Sequence, residues 1–218
     1  MSTTTPEKAA GNGGSGSPDT PVVALPRKTV DKLLIGVGIV ATVVFAAAGG
    51  LLMWGANFSD DYVHDELSAQ NIFFPDEASL REEGRDDLVK YAGEQLTTGK
   101  QAEAYASFIG GHLENIADGK TYSEMGTVVN EAEAALEEAE AAGAPAAEIT
   151  ELEGEVAKAN GQRDSLFKGE TLRGLLLSSY AWATIGTIAG IAMWVAFAAA
   201  VLMLILVVLG VMHVKRTT

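Results

Sequence analysis

Histidines and carboxylates are the residue types in this chain that can do acid–base or metal chemistry, and one histidine lies among acids. The segment DDYVHDE places His64 three residues after Asp61. On a helix this spacing puts an imidazole and a carboxylate on one face, where they can supply two ligands to a metal ion. A zinc site needs three or four protein ligands, and no second cluster is evident. We therefore interpret His64 as a solvated surface histidine, and keep His64, Asp61 and His112 as the candidate metal ligands.

Other sources of chemistry are missing from the sequence. The chain has no cysteine, which excludes disulfides, thiolate ligands and cysteine nucleophiles. It has no GxSxG, HExxH, P-loop or GxGxxG motif. We interpret His112 as a hydrogen-bonded, half-buried histidine and His213 as part of a basic flank. The sequence predicts no catalytic residue, no cofactor and no small-molecule substrate, and it favours binding over catalysis.

Charge and hydrophobicity are segregated along the chain. Hydrophobic residues make up 48% of the 218 positions, yet the net charge is −14. Residues 56–173 hold 26 of the 29 acidic residues and 9 of the 15 basic ones. This acidic surface disfavours nucleic acid as a partner. No charged residue occurs between Lys32 and Asp60 or between Arg173 and Lys215, so the apolar stretches indicate no path for protons or ions.

The first apolar stretch has the length of a membrane-spanning helix. Its 22 apolar residues follow Lys32 and end at Trp54, a residue type that favours the membrane interface. A cleaved signal peptide is the alternative, but its apolar core is usually only about 7–15 residues long. We predict an uncleaved span over residues 32–55. Residues 1–31 are mostly Ser, Thr, Gly and Pro and are predicted to form a disordered cytoplasmic tail.

The second apolar stretch, residues 172–214, is about twice the length that one crossing needs. About twenty residues separate Trp194 from the basic pair Lys215 and Arg216. A span over 193–214 therefore places Trp194 at a depth similar to that of Trp54. Two alternatives stay open: a span shifted outward with Tyr180 and Trp182 at the interface, or two spans with a turn at MWVAFAAA.

With the span at 193–214, residues 172–192 form an apolar helix outside the lipid. Gly186 and Gly190 are four residues apart and offer a face for close helix packing. We expect this outer helix to be a buried spine for residues 86–118. Arg27, Lys28 and Lys32 precede the first apolar stretch, and Lys215 and Arg216 follow the second. The positive-inside rule therefore puts both termini, including 215–218, in the cytoplasm. The predicted location is the plasma membrane of a bacterium.

Residues 56–171 are predicted to form a helical extracytoplasmic domain, because no alternating strand pattern occurs. A short helix is predicted to begin at Ser59, and a capping box is possible at Ser79 and Glu82. Helices are predicted over 86–96 and 100–118. Residues 121–168 predict an antiparallel hairpin, with a capping box at Thr121 and a break at residues 143–145. Its seam is mostly alanine, with Arg163 at one seam position.

Two segments resemble a known family. KGETLRGLLLSSY at 168–180, YAGEQLTTGKQAEAYASFIGGHLENIADGKTYSE at 91–124 and the two-span layout resemble uncharacterised actinobacterial membrane proteins. Members of that family often carry the label "aromatic ring-opening dioxygenase LigA". Such a dioxygenase is a soluble protein with an iron site made of His and Glu, and this chain lacks that cluster. The resemblance covers most of the chain from the first span onward and implies a membrane protein with no assigned activity.

These observations predict an all-α protein in which two transmembrane helices flank a helical domain and the second extends outward. The leading hypothesis is a non-catalytic scaffold or accessory subunit of an envelope or respiratory membrane assembly. Its expected partners are the lipid bilayer and either another protein or a second copy, through the membrane and outer helix. A metal-dependent envelope enzyme and an extracytoplasmic sensor are the alternatives.

Overall fold

The computed structural model describes residues 26–216, and within them the chain is helical with one isolated bridge and no longer strand. The prediction of an all-α fold is confirmed for this part of the chain. Most of the predicted tail over 1–31 lies outside the described residues, but its last five residues are helical, so the predicted boundary at residue 31 is wrong. Five α helices and one 3₁₀ helix follow in order: α1 (Arg27–Ala69), α2 (Glu77–Glu82), the 3₁₀ helix (Asp86–Tyr91), α3 (Gly99–Ile116), α4 (Tyr122–Ala142) and α5 (Ala146–Arg216).

The longest helix, α5, is the spine of the molecule. Its 71 residues extend about 106 Å at 1.5 Å per residue. It packs in turn against α4 near Ala159, against α3 near Gly169 and against α1 near Gly186. All three partners run antiparallel to it. The short helix α2 and the 3₁₀ helix cover α3 from the other side, around Phe108.

Helix α1 is continuous over 43 residues, so the prediction that a new helix begins at Ser59 is wrong. Ser59 lies inside α1, is 2% exposed, and donates its hydroxyl hydrogen bond to the Trp182 carbonyl oxygen at 2.6 Å. Val63 and Leu67 follow at four-residue spacing and are buried against α3 and α5. This tertiary packing holds the helix together through the segment whose sequence resembles a helix start. The predicted boundary between residues 55 and 56 therefore falls inside one helix.

The connection between α1 and α3 differs from its prediction in two places. Asp76 caps α2 by accepting a hydrogen bond from the Ser79 amide at 3.0 Å, so the predicted capping box at Ser79 is wrong. The helix predicted over 86–96 is a 3₁₀ helix that ends at Tyr91. Gly93 then has a φ of +70°, which suits glycine and turns the chain out of the helix.

The hairpin predicted over 121–168 is present. Thr121 and Glu124 form the predicted capping box, and Gly143 ends α4 in the left-handed conformation with a φ of 70°. Helix α5 begins three residues later. The base of the hairpin is buried around Met125 and Leu166, next to the end of α3.

Candidate interaction surfaces and the predicted metal site

Helices α1 and α5 pack in one antiparallel register along the whole apolar part of α1. Moving a given number of residues forward along α1 leads to a position about the same number of residues backward along α5. Three glycines mark the closest approaches, because an added Cβ would lie within 3 Å of a side chain on the other helix. The pairs are Gly38 with Val207, Gly49 with Phe197, and Gly186 with Ser59. A larger residue at any of these positions would have to displace the side chain that it faces on the other helix.

This register relates the two apolar stretches to each other. Extended to the charged residues that bound the apolar part of α1, it places Lys32 level with His213 and Asp60 level with Ile185. Trp54 and Trp194 then lie within about one helical turn of the same level. The part of α5 that precedes Ile185 is therefore level with the charged end of α1 and not with its apolar part.

The outer part of α5, residues 172–192, is covered on one side only. Leu176 is buried by α1 and α3, and Gly186 packs on Ser59. Gly190 is looser, since a Cβ there would be 4.0 Å from the Ala56 Cβ. Trp182 and Ile188 stay 46% and 61% exposed. The expectation that this segment is a buried spine is therefore wrong for the side that faces away from α1 and α3. Those two helices cover only the side that they contact.

A groove of about 550 Å³ lies where α1, α3 and α5 meet. Its volume is within the range of ligand pockets, about 300–1,000 Å³. Its walls are mostly apolar and aromatic, and include Tyr62, Leu67, Tyr105, Ile109, Leu175 and Trp182. An apolar ligand, or an apolar side chain of a partner, can bind there.

The polar groups of the groove are mainly neutral. Burial raises the pKa of the Tyr105 phenol, so this group stays protonated at neutral pH and can donate or accept a hydrogen bond. Glu66 is the one charged residue among the described residues that line the groove. A row of exposed aromatic rings leads along α1 to its edge: Trp54 stacks on Phe58 at 5.7 Å, and Phe58 on Tyr62 at 6.0 Å.

The structure does not bring the three candidate metal ligands together. No group of three or more His, Asp or Glu suited to a metal occurs within residues 26–216. His64 and Asp61 lie exposed on α1. On α3, His112 has Nδ1 3.1 Å from the Phe108 carbonyl oxygen and Nε2 3.3 Å from Glu83. As predicted, His112 is a hydrogen-bonded histidine; its pair with Glu83 connects α3 to the end of α2.

Ion pairs hold the connection beside α3 in place. Arg85 donates two hydrogen bonds to Asp87 and one to Ser107 of α3. The bonds from Arg85 lower the pKa of the Asp87 carboxyl, and the same contact raises the pKa of Arg85. Each charge stabilises the other, so these residues position the connection and leave neither partner ready for acid–base chemistry.

Sequence patterns did not indicate the groove or the glycine contacts at Gly38 and Gly49. Both depend on which faces of distant helices meet, and neither has a local motif. The repeated small residues of α1 were the one available signal for the contacts with α5.

A scan against protein-family models finds no match, and searches of curated proteins and of solved structures find no similar protein.

Proposed function

We propose that this chain is a two-span membrane protein whose helical domain projects from the outer surface and binds a partner without catalysis. In this proposal it acts as a scaffold or accessory subunit of a membrane assembly in the bacterial envelope. Lipid surrounds residues 32–55 of α1 and 193–214 of α5.

The observation that carries the proposal is the exposure of the two apolar helices. Of the residues in the most apolar 18-residue segments of α1 and α5, only 11% and 6% are buried. A core helix of a water-soluble protein has its apolar side chains buried, so this amount of exposed hydrocarbon calls for lipid or protein around it. Between Lys32 and Asp60, α1 has no charged side chain.

Packing argues that α1 is a permanent anchor and not a cleaved signal peptide. Its outer end supplies Val63 and Leu67 to the same core as Leu176. Ser59 donates a hydrogen bond to the Trp182 carbonyl oxygen and packs against Gly186. Signal-peptide cleavage would have to occur at small residues such as Ala46 to Ala48, and it would separate this outer end from its membrane anchor while leaving it bound to α5. A continuous helix that belongs to both the span and the domain couples the two.

The orientation rests on charge. Arg27, Lys28 and Lys32 lie at the same end of the α1–α5 pair as Lys215 and Arg216. The opposite end carries the acidic domain. The positive-inside rule therefore places the basic end of the helix pair, and with it both termini, in the cytoplasm and the domain outside.

Thiol labelling of intact cells tests this topology, since the natural chain has no cysteine. Glu138→Cys, on exposed α4, should react with a membrane-impermeant maleimide added outside. Thr29→Cys, at the cytoplasmic start of α1, should react only after the cells are lysed. Labelling of Thr29→Cys in intact cells, or release of the protein from membranes by carbonate, would contradict the proposal.

A binding role is tested by the size of the particle after mild extraction. A scaffold or accessory subunit should leave the membrane in a complex heavier than one chain in its detergent micelle. A particle of a single chain at every detergent concentration would contradict the binding role while leaving the topology intact.

A further inference from the structure

One side of α5 carries a seven-residue repeat that faces away from the rest of the molecule. The repeat positions are Gly174, Ala181, Ile188, Val195, Leu202 and Leu209. The residues three places after each of them are Leu, Thr, Ile, Ala, Ile and Met, the last being Met212. All twelve side chains are exposed, and eleven of them are apolar or glycine. We call this row, from Gly174 to Met212, the free seam.

The free seam has the spacing of a coiled-coil interface and clear ends. In a coiled coil, apolar residues alternate at three- and four-residue steps along each helix. The next position outward is Glu170 and the next position inward is Arg216, so charge appears where the apolar row stops. The contacts with α1 and α3, at Gly186, Ala183 and Gly169, lie on the other side of α5. Nothing in residues 26–216 blocks the seam.

In the proposed function, on which this inference rests, lipid surrounds residues 193–214 of α5. Lipid then covers only part of the free seam. The helix register puts α5 residues before Ile185 beyond the level of Asp60, where α1 has already become charged. Gly174, Leu177 and Ala181 therefore face water. A partner that covers the whole row must itself have an apolar helix that leaves the membrane by the same distance. The α5 helix of a second copy has that length.

The size of the seam is sufficient for a dimer. Its 39 residues extend about 58 Å, and a helix contact is about 10 Å wide. Two such faces bury about 1,200 Å² in total, which reaches the range of specific interfaces, about 1,200–2,000 Å². The outer end has small residues, Gly174, Ala181 and Thr184, which allow two backbones to approach closely.

We propose that two copies of this chain pair in parallel through the free seam, about a twofold axis along the membrane normal. Each seam residue then meets its own counterpart on the other copy, as twofold symmetry requires. None of the α5 residues that line the groove between α1, α3 and α5 belongs to the seam.

Disulfide trapping in native membranes tests the pairing, because an introduced cysteine is the only thiol in the chain. A disulfide needs Cα atoms about 4.4–6.8 Å apart. Ala181→Cys should give a covalent dimer under mild oxidation, and Ile188→Cys, one repeat further on, should do the same. Leu175→Cys is the control, since it is 63% exposed and outside the seam, and it should stay monomeric.

Each other outcome overturns the pairing. If Ala181→Cys reacts with a maleimide but forms no dimer, the seam does not pair. Equal dimer yields at Ala181→Cys and Leu175→Cys indicate random collision. A crosslink to a protein of different mass shows that another chain covers the seam. Carbonate washing of the same membranes separates this failure from that of the proposed function: protein retained without dimer refutes only the pairing, whereas released protein refutes the membrane location.

Discussion

The two helix pairs that α5 makes with α1 and with α4 use glycine in opposite ways. Along α1, an added Cβ on Gly38, Gly49 or Gly186 would lie 2.6–2.8 Å from the other helix. In the hairpin, Gly154 and Gly161 have no atom within 4 Å of that position. The first set lets two backbones come together, while the second set only lowers helix propensity. The same residue type therefore strengthens one contact and weakens the other.

The α4–α5 and α1–α5 pairs also differ in where along their length they are tightly packed. Only Met125 and Val129 of α4 are buried, and both lie near its start. Between these residues and the tip at Gly143, the seam consists of half-buried alanines and Leu136. The hairpin is therefore anchored at its base by core packing and weakly paired beyond it, whereas the α1–α5 pair is close along its whole length.

Truncation at the base of the hairpin is expected to have the largest effect. Met125 is 2% exposed, and Met125→Ala should cost about 3 kcal/mol of unfolding free energy by leaving a cavity between α3, α4 and α5. Leu136→Ala is the matched change further out and should cost less than about 1 kcal/mol. Hydrogen exchange of α4 amides measures both. Equal effects would show that the hairpin is packed evenly from base to tip.

A glycine-to-alanine pair should give effects of opposite sign. Gly186→Ala drives a methyl group into Ser59, so it should destabilise the protein by about 2 kcal/mol despite better helix propensity. Gly154→Ala makes the same chemical change in open space and should stabilise α5 by up to about 1 kcal/mol. Thermal unfolding in detergent, followed by circular dichroism, measures the two shifts. A neutral Gly186→Ala would mean that α1 and α5 can separate without cost.

The start of α4 should respond to pH. Glu124 accepts hydrogen bonds from the Thr121 amide at 2.7 Å and hydroxyl at 2.8 Å, which lower its pKa from the ordinary value of 4.5. A lowered pKa in the folded state means that this stabilisation is complete above pH 4.5 and is lost as pH falls through the folded value. Thr121→Ala should cost about 1 kcal/mol at neutral pH and flatten this acid dependence.

A glutamate outside the capping box provides the control for that experiment. Glu133→Gln, in the exposed middle of α4, should leave the acid dependence of helix content unchanged. Glu124→Gln should remove it. If both variants keep the slope of the parent protein, the capping box does not contribute to the pH response.

Local signals predicted the parts of the fold that are held locally. Thr121 with Glu124 and the break at residues 143–145 identified the hairpin, because capping and chain reversal need only a few neighbouring residues. The prediction of a helix start at Ser59 was wrong because it, too, used only neighbouring residues. Its sequence neighbourhood resembles a cap, but its hydroxyl bonds to Trp182, which lies more than a hundred residues away. The contact that decides its structure has no trace in the nearby sequence.

The candidate surfaces were harder to predict than the helices. The length and apolar character of 172–214 indicated both a span and a surplus. Of the two glycines predicted to form a packing face, Gly186 lies against Ser59, whereas Gly190 is looser. Which residues face outward depends on the register with α1, and that register comes from contacts at Gly38 and Gly49. The groove requires three helices far apart in the chain to meet, so no single segment indicates it.

The smallest expected effect concerns Arg163, which lies in the hairpin seam as predicted. Its guanidinium is 4.6 Å from the centre of the Tyr122 ring, yet its Nε is buried without a hydrogen-bond partner. Arg163→Met keeps the apolar stem and removes the unsatisfied donor, which outweighs the loss of the contact with Tyr122. We expect a gain of about 0.5 kcal/mol in chemical denaturation. Arg163→Ala also removes the stem and should lose stability. If Arg163→Met instead destabilised the hairpin, the contact between the guanidinium and Tyr122 would stabilise the α4–α5 seam. The α4–α5 pair would then be stronger than its burial indicates, and closer in stability to the α1–α5 pair.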